Sequence, residues 1–128
     1  MKYNKDNCPF CNGNENREII ARSVHAFAIF DKYPVNNGHA LIIPNRHCGD
    51  YFDLTEEEQA ECFRLLNEVK LILQKDFKPE GFNVGINVGE VAGQTVPHVH
   101  IHLIPRYAGD VERPLGGVRG VIPHKKEY

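Results

Sequence analysis

Side chains alternate between the two faces of a β-strand, and one segment of this 128-residue chain alternates with unusual strictness: His98-Val99-His100-Ile101-His102-Leu103-Ile104. Read as a strand, it puts His98, His100 and His102 on one face and Val99, Ile101 and Leu103 on the other. The apolar face is a surface to lay beneath a helix. The other face carries imidazoles roughly 7 Å apart, two strand rises each. A chance run on a solvated face would explain single histidines, but three of the seven in the chain in one alternating row is too ordered for that. The chain is therefore expected to build a sheet with one packed face and one working face.

The remaining pattern supports that layout. Residues 24–30 and 39–43 read as strands, the second stopped by Pro44, with turn residues Pro34 to Gly38 between them. Residues 56–77 read as a helix. Thr55 and Glu58 form a capping-box pair, and Phe63, Leu66, Val69 and Leu73 form an apolar stripe, with Pro79 and Gly81 ending the run. Strands are expected at 82–88 and 96–104, the last closed by Pro105, followed by a glycine- and proline-punctuated tail. The order is α+β: a mainly antiparallel sheet against one long helix. One domain is expected over 1–128, with a core at about 8–106 and an extended tail at 107–128. Hydrophobic residues make up 41% of the chain, enough for a core without disulfide staples. The formal charge of −2 lacks the basic surplus of a general nucleic-acid binder. No apolar stretch approaches the roughly 18 residues of a bilayer span, and the polar start Met1 to Asp6 leads into no signal core. A cytoplasmic protein with neither nucleic-acid nor membrane partners is expected.

A row of strand histidines suits three chemistries: a metal site, general acid–base catalysis, or nucleophilic attack by a neutral imidazole on phosphorus, giving a labile P–N bond. Cys8-Pro9-Phe10-Cys11 has the spacing for two thiolates on one tetrahedral zinc. A redox pair looks the same locally, but no βαβ pattern follows. Cys48 and Cys62 read as packing residues.

The histidine row, together with Gly38-His39-Ala40-Leu41-Ile42-Ile43-Pro44, Asp31, Asn87-Val88-Gly89 and Gly93-Gln94-Thr95-Val96, resembles the histidine triad (HIT) family over Cys8 to about Arg106. That resemblance implies an antiparallel sheet of about five strands with one helix, and nucleotide chemistry at an α-phosphate. It makes His100 the nucleophile, flanked by His39 and His102. Gln94 and Thr95 would bind the phosphate chain, Asn87 the phosphate side, and Asp31 the ribose; His98 also belongs to the nucleotide-binding set. Relatives that open with a paired cysteine imply a structural zinc on Cys8, Cys11, His47 and His98, with no organic cofactor. A homodimer is also implied.

Thr95 and the Pro105-Arg106 pair resemble the dinucleoside polyphosphate hydrolases of the family. The resemblance therefore implies a hydrolase of diadenosine tetraphosphate-like substrates, acting on adenosine nucleotides through a nucleotidyl-histidine intermediate. An adenosine 5′-monophosphoramidase and a non-catalytic nucleotide-binding module are the alternatives. Tail cations Arg106, Arg113, Arg119, Lys125 and Lys126 are candidates for reaching distal phosphates.

Overall fold

The computed structural model describes residues 2–11 and 17–128. Five strands form one antiparallel sheet: β1 (Ile19–Arg22), β2 (Ala26–Phe30), β3 (Ala40–Pro44), β4 (Gly81–Ile86) and β5 (Ile101–Arg106). Their spatial order is β1-β2-β3-β5-β4, with α1 (Glu56–Phe77) as the crossover between β3 and β4.

The period-2 pattern sorts the core into two layers. Ala26 and Ala28 of β2, Ala40 and Ile42 of β3, and Ile101 and Leu103 of β5 meet Cys62, Leu65, Leu66, Val69 and Leu73 of α1. Three alanines under the helix let it lie close to the sheet. The alternate residues Phe27, Ile29, Leu41 and Ile43 face the other way and are covered by Cys8, Phe10 and Val96. The N-terminal segment thus roofs the sheet face opposite the helix.

The helix has the predicted limits. Thr55 caps it, its hydroxyl accepting from the Glu58 amide while the Glu58 carboxylate accepts from the Thr55 amide. Lys78 closes it in a left-handed conformation, donating its amide to Gln74. Leu66, Val69 and Leu73 of the expected stripe lie in the core, but Phe63 does not. Phe63 is exposed and meets Tyr51 edge-on, while Cys62 and Leu65 enter the core. Gly38 (φ +87°) is required where the chain enters β3, because a Cβ there would come within 2.9 Å of the Phe77 ring.

Two strand expectations are corrected. β1 is an additional strand, short and half-buried beside polar residues, so its alternation is weak. The final strand runs Ile101–Arg106 rather than 96–104, with Pro105 inside it. Proline is tolerated because the β3 ladder ends at Ala40↔Leu103, leaving that side of Pro105 unpaired by any strand; the Pro105 carbonyl accepts instead from Asn36 Nδ2. Upstream, Val99 donates its amide to Cys48, so His98 and His100 sit on an extended segment docked on a loop. Val99 accordingly packs with Cys48 and Leu54, away from the helix layer.

The tail folds into short 3₁₀ helices, Gly117–Val121 and Pro123–Lys125. Among the described residues no helix is long and apolar enough to cross a membrane, and all four cysteines are free thiols.

Candidate active site and metal cluster

His98 is the hinge of the site. It is fully buried, and its Nε2 donates to the Pro44 carbonyl at 2.8 Å. The proton is thereby placed on Nε2, and the Nδ1 lone pair faces the Cys8 and Cys11 sulfurs, each at 3.4 Å. His47 Nδ1 lies 3.2 Å from Cys11 Sγ. All four ligand atoms fall within 4.8 Å of one another. A tetrahedral ion with metal–sulfur and metal–nitrogen bonds of about 2.3 and 2.0 Å places sulfur and nitrogen about 3.5 Å apart, close to these separations. Desolvation and then the adjoining Cys8 sulfur push the Cys11 thiol up to about 11, and a bound cation would favour its thiolate instead. These residues fit a closed Cys₂His₂ site with no open position.

The same residue serves the cavity face through its backbone. His100 Nδ1 donates to the His98 carbonyl at 2.9 Å, which leaves His100 Nε2 without a proton. Burial, partly opposed by that hydrogen bond, lowers the His100 pKa, so the ring is neutral at pH 7. Phe10, from the turn between the two cysteines, lies against it with ring centroids 5.0 Å apart.

His39 and His102 form a directed pair. The Val35 amide donates to His39 Nδ1 at 3.1 Å, so the neutral His39 ring carries its proton on Nε2. That proton is shared between His102 Nδ1 at 3.0 Å and the Asp31 carboxylate at 3.4 Å. When His102 Nδ1 accepts it, the His102 proton lies on Nε2. Burial and the neighbouring His100 and His39 rings lower the His102 pKa to about 4, so it too is neutral. Asp31, His39 and His102 are also close enough to one another to hold an ion. The Val35 amide opposes this, because it holds the proton on the ring nitrogen that a metal would need.

His39, His100 and His102 line one cavity of about 450 Å³ together with Asp31, Asn87 and Thr95, against an apolar wall that includes Phe10 and Tyr33. Two expected nucleotide contacts are placed elsewhere. Gln94 is buried: its Oε1 accepts from the Gly89 amide, and its Nε2 donates to the Gly49 and Val96 carbonyls. It shapes the Gly89–Gly93 loop, and the side chain has no free group for a phosphate. Both ring nitrogens of His98 are engaged away from the cavity, so its side chain belongs to the metal cluster alone. Several tail cations are likewise committed. Arg106 pairs with Asp110 and Asn83, Arg113 with Glu127, and Arg119 with backbone carbonyls of Lys125 and Lys126. Lys126 donates to the Arg113 carbonyl.

Sequence reasoning overlooked Phe10, the Val35 amide and the Arg46–Glu58 clamp. Arg46 donates from Nε and Nη2 to the two Glu58 oxygens at 3.0 and 2.8 Å, anchoring the loop of His47 to the helix N-terminus. Phe10 alone carried a signal, its position between the two cysteines.

One site thus brings together a neutral imidazole with a bare Nε2, a second neutral imidazole and a cavity of nucleotide size. The chain belongs to the HIT domain family, whose model matches residues 12–109. It is 35% identical over 108 residues to the AP-4-A phosphorylase of Mycobacterium tuberculosis, covering 82% of this chain but only 55% of that protein. A HIT family protein from Bacillus anthracis superposes with a TM-score of 0.76 at 40% identity, covering 82% of this chain and 77% of that one. A Zn-bound histidine triad family protein from Mycobacterium smegmatis gives 0.73 at 32%, covering 80% and 77%. Proteins of this family bind nucleotides, and its enzymes are hydrolases and transferases.

Proposed function

We propose that the protein hydrolyses dinucleoside polyphosphates, diadenosine tetraphosphate among them, at an α-phosphate. The observation that carries this reading is the His100 tautomer: Nδ1 is tied to the His98 carbonyl, and a bare Nε2 remains in the cavity. His100 Nε2 attacks the α-phosphorus, the bond to the bridging oxygen breaks, and its electron pair leaves on that oxygen. The polyphosphate departs as an anion, and the neutral His102 donates a hydrogen bond from Nε2–H to the leaving oxygen while keeping its proton. Water then attacks the phosphorus, the N–P electron pair returns to His100 Nε2, and the water proton is released to solvent. Thr95 and Asn87 supply polar contacts to the phosphate oxygens, where charge spreads in the transition state, and Asp31 is placed for the ribose hydroxyls.

The substrate class draws on the AP-4-A phosphorylase relative. The test is product chromatography with diadenosine tetraphosphate, with and without inorganic phosphate, for wild type and His100→Ala. AMP with ATP is the expected product pair, and the variant should form neither. ADP appearing only with phosphate would reassign the acceptor. Turnover restricted to adenosine 5′-phosphoramidate would replace the substrate class. Nucleotide binding without turnover of any substrate would favour a binding module.

The Cys8, Cys11, His47 and His98 cluster is proposed to hold structural zinc, on the fit of the four donors and the Zn-bound relative. Such an ion would fix the segment carrying His98 and the Phe10 turn. A homodimer is proposed through the β4 edge, where Val84 is exposed and the tail 3₁₀ helix carrying the exposed Val118 and Val121 packs against the strand. Light scattering that gives a monomer mass at micromolar concentration would exclude it.

A further inference from the structure

The cavity has a polar group that none of these assignments uses. Arg17, just ahead of β1, lines it. Its Nη1 is buried without a hydrogen-bond partner, the one such side-chain nitrogen or oxygen among the described residues. The guanidinium carbon lies 6.0 Å from the Phe10 ring centroid, and Phe10 is the ring that lies against His100. A buried donor left unpaired carries a desolvation cost that an acceptor from a ligand would remove.

The choice of acceptor follows from the neighbours. The phosphate end of the cavity is set by His100, His102, Asn87 and Thr95, and Asp31 suits a ribose. Arg17 is the cation beside Phe10, where a flat apolar ring finds a matching face. We propose that Arg17 is a specificity residue that donates from Nη1 to the acceptor edge of a purine nucleobase. This rests on reading the cavity as a nucleotide site. Guanine presents O6 and N7 side by side on that edge, whereas adenine presents N7 beside an amino donor. Guanine nucleotides therefore gain more from Arg17 than adenine nucleotides do.

Titration calorimetry on the full-length protein tests this with GMP, AMP, guanosine and ribose 5-phosphate. The proteins are wild type, Arg17→Met, which keeps the stem over Phe10, and Arg17→Lys, which keeps the charge without the planar fork. Arg17→Met should weaken GMP and guanosine by about tenfold, the equivalent of one hydrogen bond to a charged donor, and AMP by less. Ribose 5-phosphate should be unaffected, and Arg17→Lys should not restore GMP. Equal affinities in wild type and Arg17→Met would overturn the assignment while leaving the nucleotide site standing. Weakening confined to the phosphate-bearing ligands would also overturn it, because Arg17 would then be a phosphate contact. Failure of wild type to bind any of the four ligands would remove the nucleotide reading itself. A matched thermal midpoint for wild type and Arg17→Lys keeps a folding defect from imitating the result.

Discussion

Glu58 joins three parts of the molecule, and replacing it with glutamine gives a quantitative test of the structure. Its carboxylate accepts from Arg46 at two oxygens and from the Thr55 amide. The Arg46 hydrogen bonds, opposed by desolvation and aided by Thr55, hold its pKa at about 2. An unfolded glutamate titrates near 4.3, and about 1.4 kcal/mol per pH unit would put the full effect at about 3 kcal/mol. The Arg46 side chain is 52% exposed, and solvent screening brings the expected loss to about 1–2 kcal/mol. Because the folded value is depressed, this stabilisation is complete above the unfolded value and disappears as the pH falls toward the folded one. Urea unfolding at several pH values is the assay. Wild type should exceed Glu58→Gln by about 1–2 kcal/mol near neutrality, and the two should converge between about pH 4.5 and pH 2. A difference that stays constant across that range would refute the assignment of the effect to carboxylate charge.

Further predictions concern the site and the chain entry to β3. His102→Ala should lower kcat by about 10–10³ through loss of the hydrogen bond to the leaving oxygen, with less damage on substrates bearing more acidic leaving groups; equal damage on all leaving groups would contradict the role. Cys11→Ser should abolish stoichiometric zinc by metal analysis and lower the thermal midpoint, whereas an unchanged zinc content would remove the cluster from the account. Gln94→Ala leaves the Gly89 amide and the Gly49 carbonyl without their side-chain partner, while the Val96 carbonyl keeps the His98 amide, and should cost about 2–3 kcal/mol by urea unfolding. Gly38→Ala should cost about 1–3 kcal/mol from left-handed strain and the Phe77 contact; neutrality there would contradict the described entry into β3.

Much of the fold was legible because local signals agreed. Thr55 and Glu58 marked the start of α1, Pro79 its end, apolar runs flanking the Pro34 to Gly38 turn marked β2 and β3, and alternation marked the histidine strand. Leu66, Val69 and Leu73 of the helix stripe were legible; Phe63 was misread because it is more apolar than Cys62, and hydrophobicity alone could not tell which of two adjacent residues faced the sheet. β5 was misplaced because a proline normally stops a strand, and the end of the β3 ladder, which permits Pro105, is a tertiary fact.

The histidines were visible as a row, yet their division of labour was not. His98 turns its side chain to the thiols and only its carbonyl to His100, a split that depends on the Pro44 carbonyl 54 residues away. Gln94 was misread for a similar reason, since its partners at Gly49, Gly89 and Val96 come together only in the folded loop. Arg17 carried no motif, and its burial beside Phe10 exists only once the N-terminal segment covers the sheet.

The covalent role of His100 is the centre of the account. Diadenosine tetraphosphate and excess enzyme should be mixed for milliseconds and quenched in base, which preserves the acid-labile P–N bond, and the digest examined by mass spectrometry. The account predicts an adenylyl group on the peptide containing His100, localised to that residue and absent in His100→Ala. Full turnover in His100→Ala, or an adduct on another residue, would contradict it.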